Sequence, residues 1–571
     1  MSGIVAMLRL DGRAVDAVAF DALVAQLAIR REGSARTFVD GVVALAGPSG
    51  GAIAFDGRLD ADYRPPVEVI AETYARHEQL APRHLLGDFA FVMWDAARQR
   101  LFAARDRFGI RPLYYAHIGG ALIVTNTLPL LLDHPQRSTA LNRDAIADFL
   151  LFGYNSDLRT TTHAAIQRVP PAHTFAATND GAVTLTRYWS LPAPAEPRKI
   201  DERDAADELR ELLTRAVRDR TRGGSVVVSL SGGVDSTTAA AMLMREPPAR
   251  VSALTTVWQS RVADTEGRWS ALAASSLGIP HELQVVDRYQ PFERWDDRRA
   301  RGLEPTDDPF SAILLDFTAR AAELAPVALT GQGGDVVFYT SHSYFFDLLR
   351  RGRWIRFVYD ALHYALTRRR RPPLLIRSQL RVARGRAAWK PPFPEWLNPD
   401  FARETAARER FEAMFAPPPA RIHAFRNEAA RLAMRPIWSN IFEAYDAGAT
   451  GNPVVFTTPY FDVRVVEFLF SLPPMPHFAG KDLARRTTAG LLPDALRFRP
   501  KTPLAGDVVR DTFRAETQRW IDFLHASPEI EPYVDRRILA EAIRSGTTDG
   551  YRTYQQVIGL SLAAWLRGAA P

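Results

Sequence analysis

The stretch SVVVSLSGGVDSTTAA, Ser225 to Ala240, decides how the rest of the chain is read. Val226 to Ser229 is apolar and β-branched, the pattern of a buried parallel strand. Ser231, Gly232 and Gly233 make a glycine turn, and the alanine-rich run after them reads as a helix. Strand, turn and helix start put several backbone N–H groups at the positive end of a helix dipole, where an anion binds. A bare Gly-Gly pair suits any tight turn, but the flanking serines and Asp235 make this one a candidate phosphate loop. It has neither the spaced lysine of GxxxxGK nor the spacing of GxGxxG. Its outline is SGGxDS: a nest of N–H groups, hydroxyls on either side, and a carboxylate able to hold a hard cation such as Mg2+.

Strands and helices alternate around this loop. The helical run IDERDAADELRELLTRAVRDR precedes it, and RVSALTTVW, HELQVVD and APVALTGQGGD follow as apolar strands. That order argues a doubly wound α/β sheet whose ligands bind beyond the carboxyl ends of its strands. Thr330 to Asp335, TGQGGD, ends a strand in a second glycine turn, so Gly331, Gly333 and Asp335 fall on the same edge as Asp235. Two carboxylates on one edge could share a hard cation beside a bound phosphate. A surface turn capped by an aspartate would share this outline.

Residues 1–195 have a different pattern. Period-two runs such as GVVALAGPSGGAIAFDGRLD and LLGDFAFVMWDAARQRLFAARD are broken by glycine turns and read as strands and hairpins, with helices near Ala14–Leu27 and Pro66–His77. This is an α+β sandwich, closed by the linker LPAPAEPRK, Leu191 to Lys199. After Tyr339 the chain reads as helical and proline-interrupted, with a long insertion over about 340–430. No apolar run reaches the ~18 residues of a membrane span, and MSGIVAMLRLDG has no signal-peptide pattern. The chain contains no cysteine, which excludes disulfides, thiolate metal sites and a cysteine nucleophile, and fits the cytoplasm. Much of the net charge of +7 sits between Arg350 and Lys390, yet no nucleic-acid-binding signature accompanies it. Solvated helix faces account for it first, and a peptide or protein docking surface second.

SGGxDS resembles the pyrophosphate-binding loop of ATP pyrophosphatases, which cleave between the α- and β-phosphates. With GQGGD added, nearly the whole chain resembles the asparagine synthetase family. MSGIV, FDGRLD, GDFAFVMWD and ARDRFGIRPLYY look like that family's glutaminase domain, of Ntn type, and PYFDxRxxEFxxSLP like its helical core. The glutamine-using members carry a nucleophilic cysteine at residue 2. Here that residue is Ser2, so the resemblance implies a degenerate glutaminase domain over 1–195 and an ATP-pyrophosphatase domain over 200–571.

Within the family, members unable to make ammonia take the nitrogen from their own substrate: β-lactam synthetases and lasso-peptide macrolactam cyclases. Asparagine synthetases resemble GEGxD at the second turn and β-lactam synthetases place a tyrosine there. Gln332 and the long insertion, with Trp354, Phe357, Tyr359 and Tyr364 as a possible peptide groove, look like the lasso branch. The resemblance implies MgATP held by Ser229, Leu230, Ser231, Gly232, Gly233, Asp235 and Ser236, with Gly331 and Gly333 beside them, adenine near Thr256, and Mg2+ on Asp235 and Asp335. Lys481 and Lys501 have the spacing of two β-lactam-synthetase lysines, one on the phosphates and one at the reacting acyl-adenylate. Glu443 is the candidate base, with Asp446 expected on the same helical face. Implied partners are a ribosomally made core peptide, a leader peptidase and a leader-recognition protein. A small-molecule amide synthetase and a non-catalytic scaffold stay open as alternatives.

Overall fold

The computed structural model describes residues 3–27, 35–60, 64–222, 224–340, 344–368, 372, 390–416, 421–500, 506–547 and 549–569. The N-terminal part is a sandwich of two antiparallel sheets. In the first, Val5–Arg9 pairs with Val43–Gly47 on one side and Ala121–Thr125 on the other. In the second, Gly87–Asp95 pairs with Ile53–Leu59 and Arg100–Arg105. Alternation explains why the first strand is apolar throughout. Ile4, Ala6 and Leu8 point into the core between the sheets, while Val5 and Met7 join Phe20 of the helix Ala17–Val24 in a second core on the outer face.

The remainder is built on five parallel strands: β1 (Ser225–Ser229), β2 (Arg250–Val257), β3 (His281–Val285), β4 (Val327–Leu329) and β5 (Val455–Thr457). Their order across the sheet is β3-β2-β1-β4-β5, with every neighbouring pair parallel. Helix α1 (Glu202–Arg220) packs before β1, and α2 (Val234–Leu243) follows it. Val226 and Val228 are buried in one core with Leu209, Leu213 and Ala240 from those helices. Each buried valine contributes roughly 1.5–3 kcal/mol, so this contact fixes the sheet against the helices. The strand order reverses between β1 and β4, which opens a crevice between their carboxyl ends. Both glycine turns lie there.

The α+β sandwich and the doubly wound domain with its helical C-terminal part agree with the sequence reading. Two details differ. Strand β5 has only three residues and no period-two pattern, so periodicity gave no sign of it. Glu443 and Asp446 do not share a helix: α3 (Ile437–Ala444) ends one residue after Glu443, and Asp446 instead caps the next short helix by accepting from Gly448 N at 2.7 Å. A capping aspartate competes with helix continuation, and here the cap won.

The sandwich and the sheet domain are joined by buried charges. Arg220 at the end of α1 donates to Asp462 at 2.6 Å and to Asp88 of the sandwich at 3.1 Å. Arg464 reaches Asp219 at 2.9 Å and lies 3.5 Å from Asp60, also of the sandwich.

Candidate active site

The first glycine turn folds as the sequence implies. Helix α2 begins at Val234 with Gly233 as its N-cap and no side-chain cap, leaving its first N–H groups facing the crevice. Ser236 Oγ lies 3.0 Å from Ser231 Oγ and accepts from Ser231 N at 3.2 Å, which ties the loop's two ends together. Gly232 sits at φ +65, and a Cβ there would lie 2.4 Å from the Trp269 carbonyl carbon. Only glycine meets both demands.

The second turn is pressed against the first. A Cβ on Gly334 would lie 2.4 Å from Asp235 Cγ, and one on Gly331 would lie 2.6 Å from Ser236 N. The GQGGD glycines therefore serve to bring Asp335 beside Asp235. Lys481 Nζ donates to Asp235 Oδ2 at 2.5 Å and to Asp335 Oδ1 at 2.6 Å. Lys481 is itself left-handed, with φ 60, next to Gly480 at φ 56. A non-glycine residue held in that region costs of order 1–3 kcal/mol and points to a position set by function. Two carboxylates on one cationic centre, beside a glycine nest, form a hard-oxygen donor set that fits Mg-pyrophosphate.

Beyond the loop opens a cleft of about 690 Å3, lined by Ser229, Leu230 and Ser231 on one side and Thr255 and Thr256 on another. The far wall carries Asp308 and Tyr445, two residues the sequence reading missed. Asp308 is open to the cleft and accepts from Phe310 N at 2.9 Å. Partial desolvation by the surrounding protein raises its carboxyl to about 6, against the Phe310 N–H, and the charge of Asp307 adds to the rise. Burial, with the Asp308 charge, pushes the Tyr445 phenol up to about 12, and its hydroxyl meets the Gln332 side chain. Gln332 and Tyr445 share a smaller pocket beside the cleft. Two more residues escaped notice: Tyr460, which donates to Asp235 O at 2.8 Å, and Arg499, which donates to Ser231 O at 3.1 Å from its stacking place over Trp269. Both left a sequence signal: Tyr460 stands in PYFDxRxxEFxxSLP and Arg499 two residues before Lys501.

Over residues 208–567 the chain matches the Asparagine synthase family model, and over 61–189 the Glutamine amidotransferase domain model. The chain belongs to the asparagine synthase family. Asparagine synthetase (glutamine-hydrolyzing) 3 of Bacillus subtilis is 23% identical over 76% of this chain and 70% of that protein. A putative asparagine synthetase (glutamine-hydrolyzing) of Mycobacterium tuberculosis is 30% identical over 45% of this chain and 40% of that one. Amidase chyE of Penicillium rubens is 28% identical over 49% of this chain and 44% of that one. The chain thus spans under half the length of the last two. As a family member it is a ligase of the ATP-using class that makes carbon–nitrogen bonds.

For a member of this family, two of the expected site residues, Lys501 and Glu443, stand apart. Ser2 and Lys501 lie outside the described residues. Glu443 is buried and clasped by two arginines of the sandwich: Oε1 accepts from Arg105 at 3.1 Å and Oε2 from Arg168 at 3.0 Å. It faces a separate cavity of about 220 Å3 between the sandwich and the sheet domain, with Tyr114, Asn126 and Asp307. Both of its carboxylate oxygens are thus taken by guanidiniums. Its geometry is that of an interdomain tie.

Proposed function

We propose that this chain is a lasso-peptide macrolactam synthetase. It adenylates an Asp or Glu side chain of a ribosomally made core peptide and joins that carboxyl to the peptide's own N-terminal amine. The observation that carries the reading is the chain's lack of any cysteine, with serine at residue 2. Without a thiolate the usual route from glutamine to ammonia has no nucleophile, so the nitrogen comes with the substrate. Gln332, neutral where relatives of other specificity carry an acid or a tyrosine, supports the same branch.

In this reading ATP lies along Ser229–Ser236 with its base toward Thr255 and Thr256. Asp235 and Asp335 would hold Mg2+, which neutralises charge on the departing pyrophosphate. Lys481, set between the two aspartates, supplies a cation to the same phosphates, and the family resemblance assigns Lys501 to the acyl-adenylate. The peptide carboxylate attacks the α-phosphate and pyrophosphate leaves. The amine then attacks the acyl carbon, loses a proton and expels AMP. With Glu443 occupied by Arg105 and Arg168, Asp308 in the cleft wall is the carboxylate to take that proton. Holding a threaded tail near its acyl carbon is a positioning task, which can supply roughly 7–11 kcal/mol of a barrier. A leader peptidase and a leader-recognition protein would deliver the peptide.

The relatives named as asparagine synthetases favour a second reading, a small-molecule amide synthetase, which without a cysteine would take free ammonia. Intact mass separates the two. A candidate leaderless core peptide incubated with the protein and MgATP should lose one water as AMP forms, and Asp235→Ala should do neither. An unchanged peptide mass, with AMP formed from free aspartate and ammonia, would give the second reading the site.

A further inference from the structure

The helix α4 (Trp354–Arg368) is apolar on two faces, and only one of them is covered. Phe357, Ala361 and Tyr364 pack against the preceding helix Tyr344–Arg350, with the Phe345 ring 6.2 Å from Phe357 and 5.8 Å from Tyr364. Arg356 and His363 run along one edge, tied to Asp360 at 2.7 Å and Glu202 at 3.0 Å. The other face carries Trp354, Ile355, Val358, Tyr359, Leu362 and Leu366, which recur at the spacing of one helical stripe.

All six are open to water. Ile355 is 90% exposed, Leu366 79%, Trp354 and Tyr359 62%, Leu362 59% and Val358 52%. Single exposed apolar residues are ordinary, but a contiguous stripe marks a contact surface. These side chains stand proud of a convex helix, so they form a ridge. Arg350, Arg351 and Arg353 are exposed at its N-terminal end, with Arg353 donating to Glu196 at 2.8 Å. Arg350 and Arg351 at this end call for an anionic occupant, because guanidinium forks match phosphate oxygens. A ridge with Trp and Tyr among aliphatic side chains, with arginine at one end, has the make-up of a helix lying in the interface of a bilayer. Its 15 residues span about 22 Å along such a surface. No described helix is long and apolar enough to cross a membrane, so the contact is peripheral.

We propose that this ridge docks the protein on an anionic phospholipid surface, with the six apolar side chains entering the headgroup boundary and Arg350 and Arg351 on lipid phosphates. The inference is independent of the proposed reaction.

The test is co-sedimentation of the full-length protein with vesicles of phosphatidylcholine containing one quarter phosphatidylglycerol, beside vesicles of phosphatidylcholine alone. The protein should pellet with the anionic vesicles, at least about tenfold more than with the neutral ones, and less as salt rises. The variant Ile355→Glu/Leu362→Glu, at exposed sites, should keep its thermal midpoint and lose this binding; Arg350→Glu/Arg351→Glu should weaken it independently. Wild-type protein left in the supernatant with anionic vesicles overturns the proposal, as does a double variant that still pellets. A wild-type dimer turned monomeric by Ile355→Glu/Leu362→Glu would assign the ridge to a second copy. Retention on immobilised poly-glutamate without vesicle binding would assign it to an acidic protein.

Discussion

Lys481 bridges Asp235 and Asp335, and its ammonium stands where charge must be balanced whether or not a nucleotide is bound. Asp235→Ala removes one of the two carboxylates available to a cation, and ATP–pyrophosphate exchange should disappear with folding intact. Lys481→Ala should lower kcat about 10²–10³-fold, the usual loss when one charge-stabilising donor is removed, in the same exchange assay. Asp308 carries a pH signature. Its carboxyl, raised to about 6, must be ionised to accept a proton, so amide formation should climb as pH rises through 6. Asp308→Asn should lower the rate and flatten that limb while leaving the adenylation half-reaction in place. An unchanged pH profile in Asp308→Asn would remove it from the reaction.

At the scale of elements, the site is the meeting of two strand-to-helix turns at the switch between β1 and β4. The glycines are there for contact as much as for conformation. Gly334 has no room for a methyl group 2.4 Å from Asp235 Cγ, so Gly334→Ala should push the two turns apart and abolish exchange activity while the fold persists. Gly267 gives the contrasting case. It sits near the start of the helix Glu266–Leu277, where a Cβ would make an ordinary contact 3.4 Å from Val257 Cγ1. Gly267→Ala should leave activity alone and stabilise by about 0.4–1 kcal/mol in urea unfolding. The pattern SGGxDS and GQGGD was legible without coordinates because close approach to phosphate and to backbone restricts the residue type at each position. Tyr445 and Asp308 were not, since a tyrosine after a helix and an Asp-Pro turn look alike in any protein until the chain folds them onto one wall.

Across the whole molecule, the sandwich is bound to the sheet domain by buried charges, with Arg220 between Asp462 and Asp88. Burial works against the Asp462 carboxylate, but Arg220 and Arg464 outweigh it and hold the group well below the usual carboxylate range. A depressed carboxyl stabilises the fold at every pH above its unfolded value, and the contribution fades as pH falls below about 4. Acid unfolding should therefore begin there and start at higher pH in Arg220→Ala. That variant leaves Asp462 and Asp88 without a shared partner and should cost about 3–5 kcal/mol in denaturant unfolding.

The sequence by itself determined the two-part architecture, the two glycine turns and the pair of aspartates. Each rests on local chemistry: period-two strands, a glycine nest at a helix start, carboxylates at fixed offsets. Tertiary structure alone decided what partners those residues keep. It drew Glu443 away from the cleft onto Arg105 and Arg168, more than 270 positions earlier in the chain. It brought Asp308 and Tyr445 to the cleft beyond β1 and left one face of α4 bare. Such pairings are set by packing between elements far apart along the chain, and no local pattern records which charge a buried carboxylate will meet.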